Sequence, residues 1–252
     1  MVDPRAASGF GGGADAYERG RPSYPPDEVA ALARRFELGP GSTALDLAAG
    51  TGKLTRLLAP LAGRVIAVDP SAAMLAELRA QLPGVDARTG TGEAIPLEDA
   101  TVDAVFIAEA FHWFGTAGAC TEIARVLRPG GGLALLWNRE RWTDVDLPWR
   151  RRLRGLVSPY RKAAGEFPAE GERWKTAVRE SGLFAPLSET EADHIHRVSA
   201  EDFVALVRSW SSIANVPEPE RTSVLAQVRE LAAPHASLTL RYRTEIYWTR
   251  RV

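Results

Sequence analysis

The run Ala44-Leu45-Asp46-Leu47-Ala48-Ala49-Gly50-Thr51-Gly52-Lys53 constrains this chain more than any other stretch. An apolar segment ends at a carboxylate and two glycines, and a helix-like segment follows. A second apolar segment, Arg64-Val65-Ile66-Ala67-Val68-Asp69, ends in another carboxylate, 19 residues after Gly50. This is the layout of a nucleotide-binding βαβ unit. The glycines let backbone pass close to a ligand, and the second acid can take two ribose hydroxyls.

The spacing narrows the choice of nucleotide. A dinucleotide loop reads G-x-G-x-x-G, and the third position here is Thr55, so the glycine for helix packing is missing. A phosphate-cradling P-loop needs a glycine five residues before the last one and a Ser or Thr after the lysine. Those positions are Leu47 and Leu54, so the hydroxyl that would hold magnesium is absent. What remains is Asp-x-Ala-x-Gly-x-Gly.

That pattern resembles motif I of the class I S-adenosylmethionine (SAM) methyltransferases, with Ala48 in place of the first glycine. Alanine disfavours positive φ, so negative φ is expected there. Further segments resemble the family in order. They are Val68-Asp69-Pro70-Ser71, Gly90-Thr91-Gly92-Glu93-Ala94-Ile95-Pro96, Val102 to Ala108, and Leu127-Arg128-Pro129-Gly130-Gly131-Gly132. The chain is most similar to the methyltransferase type 11 branch. Its trans-aconitate methyltransferase-like members share Tyr17-x-x-x-Arg21-Pro22-x-Tyr24-Pro25 and Phe111-His112-Trp113. The resemblance implies a Rossmann-like α/β fold: a seven-stranded, mostly parallel sheet with an antiparallel C-terminal hairpin and a helical cap. It also implies SAM as cofactor and a small-molecule acceptor.

The strand and helix pattern fits. Helices are expected at 26–38, 52–61, 71–81, 116–127 and 170–182. Strands are expected at 43–48, 64–69, 85–89, 103–108, 132–137, 187–198 and 237–249. Two helices at 200–233 break at Pro217-Glu218-Pro219. Strands alternating with helices imply a parallel sheet covered on both faces. Three regions follow: a mobile, Gly-rich N-terminal lead-in at 1–25, a SAM-binding core at 26–138, and cap helices plus final strands at 139–252.

Composition excludes other classes. A formal net charge of −1 gives no general attraction for nucleic acid or membrane. No apolar run reaches the roughly 18 residues of a membrane span, and no signal pattern opens the chain. Cys120 is the one cysteine, which rules out an internal disulfide framework and fits a reducing cytoplasm. His194 and His196 alternate on an expected strand, but no Cys or paired acid completes a metal site.

The resemblance assigns cofactor contacts to Tyr17, Arg21, Asp46, Ala48, Gly50, Gly52, Asp69, Pro70, Thr91, Gly92, Glu93 and Glu109. Within that set Asp69 takes the ribose, Thr91 and Gly92 flank adenine, and Arg21 pairs the methionine carboxylate through its planar fork. Asp46 orients either the loop or the methionine ammonium, and Glu109 is a second candidate for that ammonium. Tyr24, Trp113, Trp142 and His112 are the acceptor-side candidates. His112 is the catalytic candidate: a base for a hydroxyl acceptor, or a hydrogen-bonding group for a carboxylate. The arginines at 150–152 and 154 are either a solvated helix face or a guide for an anionic acceptor. Two rival readings share the cleft: a SAM-binding regulator without catalysis, and an NAD-linked oxidoreductase, which Thr55 disfavours.

Overall fold

A computed structural model describes residues 14–141, 147–163 and 173–252. Seven strands form one sheet: β1 (Thr43–Leu47), β2 (Arg64–Asp69), β3 (Asp86–Thr89), β4 (Val102–Ala108), β5 (Leu127–Glu140), β6 (Ser188–Val198) and β7 (Leu238–Arg250). Their order is β3-β2-β1-β4-β5-β7-β6. Strands β1 to β5 pair in parallel, and β7 runs antiparallel to both β5 and β6.

Alternation along the strands builds two cores. Leu45, Leu47, Val105, Ile107, Leu133, Leu135 and Trp137 face one side. Ala44, Ala104, Phe106, Ala134, Leu136 and Ile246 face the other, with Val29, Leu32 and Phe36 packed over them. Both faces of the central strands are covered, which is why the sequence reads there as continuous apolar runs rather than alternating ones. A separate cluster of Leu153, Val157, Phe203, Leu206, Val228 and Tyr242 joins the cap to β7.

The helices are α1 (Ala14–Gly20), α2 (Pro26–Arg35), α3 (Thr55–Leu58), α4 (Ala72–Gln81), α5 (Phe111–Phe114) and α6 (Ala117–Val126). They continue as α7 (Pro148–Ala163), α8 (Arg173–Ser181), α9 (Ala200–Arg208), α10 (Ser211–Ala214) and α11 (Glu220–Ala232). Ser71 and Thr116 cap α4 and α6 through their side chains.

Several boundaries differ from the expected ones. Helix α2 stops at Arg35 because Glu37 turns left-handed at φ 59°, and Leu38 N–H then reaches back to the Ala33 carbonyl at 2.9 Å. The expected helix at 52–61 shrinks to α3, since Gly52 at φ 89° still belongs to the turn. Strand β5 begins at Leu127, and its end runs on to Glu140 because Asn138–Glu140 pair with Tyr242–Thr244 of the long β7. Residues 200–233 form three helices, not two, with an added break after Arg208.

The lead-in was expected to be mobile; residues 1–13 lie outside the described residues. Helix α1, its described part, is tied down on two sides. Glu18 accepts from Thr51 Oγ1 at 2.6 Å and Arg56 at 3.1 Å, and its carbonyl accepts from Lys53 Nζ at 2.6 Å. At the other end Gly20 lies against α9, where an added Cβ would come within 2.1 Å of the Leu206 nitrogen.

Candidate cofactor and acceptor site

The sheet order reverses at β1: β2 lies to one side of it and β4 to the other. Crevices at such switch points, beyond the carboxyl ends of the strands, are where open α/β sheets hold ligands. Here the chain leaves β1 through Ala48 at φ 62° and leaves β4 through Glu109 at φ 56°. The expectation of negative φ at Ala48 is corrected. Its N–H donates to the Val68 carbonyl at 2.7 Å, and the neighbouring Ala49 N–H shares that acceptor at 3.1 Å. This pair of bonds holds the left-handed turn against the alanine's preference. Non-glycine residues in left-handed backbone cost about 1–3 kcal/mol each and cluster at functional sites, and these two border one cavity.

The cavity between these two turns is mainly apolar. Tyr17, Ala48, Gly50, Asp69, Pro70, Thr91, Gly92, Glu93, Glu109 and Trp113 all border it, so ten of the expected site residues come together. Leu47, Met74, Ala110 and Phe114 border it as well. These were not picked out from the sequence, because ordinary apolar residues carry no signal until the fold gathers them.

Gly50 is the cradle residue. It has φ 56°, and an added Cβ would point into open space. The bare backbone is therefore required by conformation and leaves room for a ligand. Gly52 serves a different purpose from the expected cofactor contact. It does not border the cavity, and its missing Cβ makes room for Leu78 of α4, which would sit 2.9 Å away. It does the helix-packing work that Thr55 cannot. Gly92 yields space to Phe114, whose ring would lie 2.2 Å from an added Cβ.

The acids divide by surroundings. Asp69 Oδ2 accepts from Gly50 N–H at 2.9 Å and Oδ1 from Ser71 N–H at 2.8 Å. Its position is fixed, and each oxygen keeps a second lone pair for a ribose hydroxyl. Burial raises its carboxyl above the ordinary range, against these two bonds. Asp46 is 1% exposed and accepts from Thr55 Oγ1 at 2.6 Å. Burial pushes it up to about 7. It braces the glycine turn from behind and does not border the cavity. Glu109 does border it; its Oε1 accepts from the Asn138 N–H. Burial raises this carboxyl too, and Arg21 opposes the shift.

Arg21 takes an alternative partner in this structure. Its Nε donates to Ser209 Oγ at 2.8 Å and a terminal nitrogen donates to the Ser209 carbonyl at 3.0 Å. The guanidinium also lies 5.5 Å from the Tyr17 ring centre. It ties the lead-in to the cap and is not part of the cavity wall. Tyr24 packs into the core beside Val29 and Leu32 and is likewise not in that wall. Trp142 lies outside the described residues.

His112 lies one position before Trp113, with ring centres 4.9 Å apart, but does not border the cavity itself. Trp137 Nε1 donates to His112 Nδ1 at 3.0 Å. An indole nitrogen can only donate, so Nδ1 must be the unprotonated nitrogen. The neutral ring therefore carries its proton on Nε2. Burial, with Arg139 adding to it, pulls the imidazole down to about 4. The ring is neutral at physiological pH and presents an N–H donor. A base acting through Nε2 would need the other tautomer, which would break the indole bond.

Among the described residues no group of three His, Cys, Asp or Glu could hold a metal, and no helix is long and apolar enough to cross a membrane.

Residues 45–135 match the family model described as a methyltransferase domain. The chain is 40% identical over 233 residues to an uncharacterised methyltransferase of Mycobacterium tuberculosis, covering 91% of this chain and 87% of that one. It is 37% identical over 141 residues to a malonyl-[acyl-carrier protein] O-methyltransferase of Methylococcus capsulatus, covering 49% and 51%. A solved structure from Anaeromyxobacter dehalogenans, described as a candidate type II methyltransferase, superposes with a TM-score of 0.66 at 25% identity, over 91% of this chain and 97% of that one. The glycine turn, the anchored acid after β2 and the near full-length relatives agree: this chain belongs to the SAM-dependent methyltransferase family.

Proposed function

We propose that the protein binds SAM in the cavity between β1 and β4 and transfers its methyl group to an oxygen of a small-molecule acceptor, a carboxylate in preference to a hydroxyl. Asp69 would hold the ribose, Gly50 the adjoining backbone, the Thr91–Glu93 turn with Met74 and Phe114 the adenine, and Glu109 the methionine ammonium. The open space at Gly50 and the free lone pairs of Asp69 fit that assignment. When bound, SAM supplies an electrophilic methyl on a sulfonium.

The observation that carries the oxygen preference is the Trp137–His112 bond. A hydroxyl acceptor must give up a proton, and a ring with Nε2 already protonated does not take it. A carboxylate is ionised at neutral pH and needs no base; it needs a donor to fix its second oxygen, and Nε2–H is one. Relatives include both an O-methyltransferase, 37% identical over 141 residues, and a C-methyltransferase, 40% identical over 126 residues, and it is the state of His112 that favours oxygen here.

The test is an acceptor screen with methyl-labelled SAM, followed by mild alkali. A methyl ester releases labelled methanol, whereas an ether or a C-methyl product keeps its label. Alkali-stable product would overturn the carboxylate reading. Tight SAM binding without transfer to any member of a broad acid and alcohol panel would favour the regulatory reading instead.

A further inference from the structure

We propose that Glu140 is the acceptor-binding carboxylate of this protein and, together with Arg150, grips a hydroxyl group on the methyl acceptor. This rests on the methyl-transfer reading and adds a substrate class: an acid that also carries a hydroxyl.

The position follows from strand geometry. The Asn138 N–H holds Glu109 at the edge of the cofactor cavity. Glu140 is two residues further along β5, on the same face as the Asn138 side chain and roughly 7 Å beyond it. Across the sheet Glu140 registers with Tyr242, and Tyr242 with His194. Asn138 registers with Thr244 in the row before. The two rows differ in how their polar groups are satisfied. In the Asn138 row, Thr244 Oγ1 donates to Asn138 Oδ1 at 2.6 Å, and Asn138 Nδ2 donates to the Ser23 carbonyl at 3.1 Å. In the next row Glu140 Oε1 and His194 Nε2 are both sealed from solvent and have no hydrogen-bond partner.

Arg150 of α7 is in the same state. It is 3% exposed, and its terminal nitrogens donate to the Arg141 carbonyl at 3.2 Å and the Thr239 carbonyl at 3.1 Å. Its Nε has no partner. Of the charges acting on Glu140, Arg150 is the strongest, followed by Arg161 and Arg21; burial still pushes the carboxyl up to about 7. Leaving such a group without a partner is costly, and in a native structure it calls for an explanation, a bound ligand group among them.

The chemistry of Glu140 Oε1 and Arg150 Nε, the two charged groups among the three orphans, selects the ligand group. In its ionised form Glu140 Oε1 is an acceptor, and Arg150 Nε is a donor. An ammonium offers only donors, and a carboxylate only acceptors. A hydroxyl offers one of each, so one group on the acceptor satisfies both. The positive charges of Arg150, Arg161 and Arg21, all of which act on this carboxylate, also disfavour a cation there.

Two measurements on the full chain decide this, and neither requires turnover. The first is thermal melting of Glu140→Met without ligand. Removing an unsatisfied buried carboxylate should raise the melting temperature by about 2–4 °C, the shift for roughly 1 kcal/mol at this size. A lower melting temperature would mean that Glu140 braces the fold, through Arg150 or a buried water, and would overturn the proposal. The second is calorimetry on protein loaded with S-adenosylhomocysteine, using malate against succinate and 3-hydroxydecanoate against decanoate. In at least one pair the hydroxylated member should bind about tenfold tighter, and Glu140→Met should erase that preference. Equal binding within each pair, a preference that survives in Glu140→Met, or no binding of any of the four would remove the hydroxyl assignment. Failure to methylate any of these probes would count against the methyl-transfer reading and leave both measurements standing.

Discussion

The two halves of this site are built in opposite ways. On the proposed cofactor side, the two acids of the first βαβ unit find their partners within it: Asp69 holds Gly50 and Ser71, and Asp46 holds Thr55 nine residues on, while Glu109 takes the Asn138 N–H from β5. On the acceptor side, partners come from distant segments. Arg21 reaches Ser209, Thr244 reaches Asn138, and His196 meets the Gly20 carbonyl at 2.9 Å. Some groups there, such as Glu140 Oε1, are left unpaired. A short-range network can pre-form a rigid cradle for a ligand of fixed shape. A long-range one depends on how the lead-in, cap and last strands meet, so a few substitutions in any of them can reshape it.

The comparison breaks most sharply at Gly50. Gly50→Val places a β-branched side chain at φ 56° and fills the open space. We expect a folded protein with no measurable SAM binding by calorimetry. Gly52→Ala is the control: at φ 89° its Cβ would be strained and would press on Leu78 at 2.9 Å, costing about 1–3 kcal/mol of stability while SAM still binds. If Gly50→Val binds normally, the cradle is elsewhere.

Asp69→Ala should weaken SAM binding at least about tenfold. Hydrogen bonds to a charged group are worth about 1.5–3 kcal/mol each, and the variant also frees the Gly50 and Ser71 N–H groups. Unchanged affinity would refute the ribose assignment.

His112→Ala should leave SAM affinity nearly unchanged and raise the acceptor KM, on the order of tenfold for one lost donor. Trp137→Phe should act in the same direction more weakly. Turnover should show no histidine limb between pH 5.5 and 7.5, because burial holds the ring neutral down to about 4. A steep rise in turnover through that window, lost in His112→Ala, would restore the base. Stability carries the matching sign. A ring whose folded pKa is depressed below about 6.5 favours the fold above that pH and loses the contribution as pH falls toward 4. Wild type should therefore lose more melting temperature than His112→Ala between pH 7 and 5.

The smallest expected effect concerns the lead-in. If it closes further over bound cofactor, S-adenosylhomocysteine should slow hydrogen exchange around Tyr17 to Tyr24 by a few-fold. Protection indifferent to ligand would mean that the Glu18 and Arg21 bonds already hold α1 in its bound position, and that Arg21 does not trade Ser209 for the methionine carboxylate.

Much of the fold could be read in advance because it rests on local signals. Continuous apolar runs marked β1, β2 and β4, Ser71 and the 71–81 pattern marked α4, and Gly182, at φ 66°, marked the end of α8. The glycine turn and Asp69 were legible for the same reason: their partners lie within one βαβ unit. What the spacing did not distinguish was the work of each glycine. Gly50 is open to a ligand while Gly52 makes room for Leu78, and that depends on where α4 packs.

The sequence by itself therefore determined the strand order along the chain, the parallel core and the glycine turn, all products of short-range periodicity and turn chemistry. Only the tertiary structure decided that Asp46 braces Thr55, that Ala48 turns left-handed, that Trp137 fixes the tautomer of His112, and that Glu140 is left without a partner. Each of these depends on groups brought together by sheet pairing and cap docking, and burial then sets their protonation. A linear pattern records which side chains are present, but not which of them lose water together.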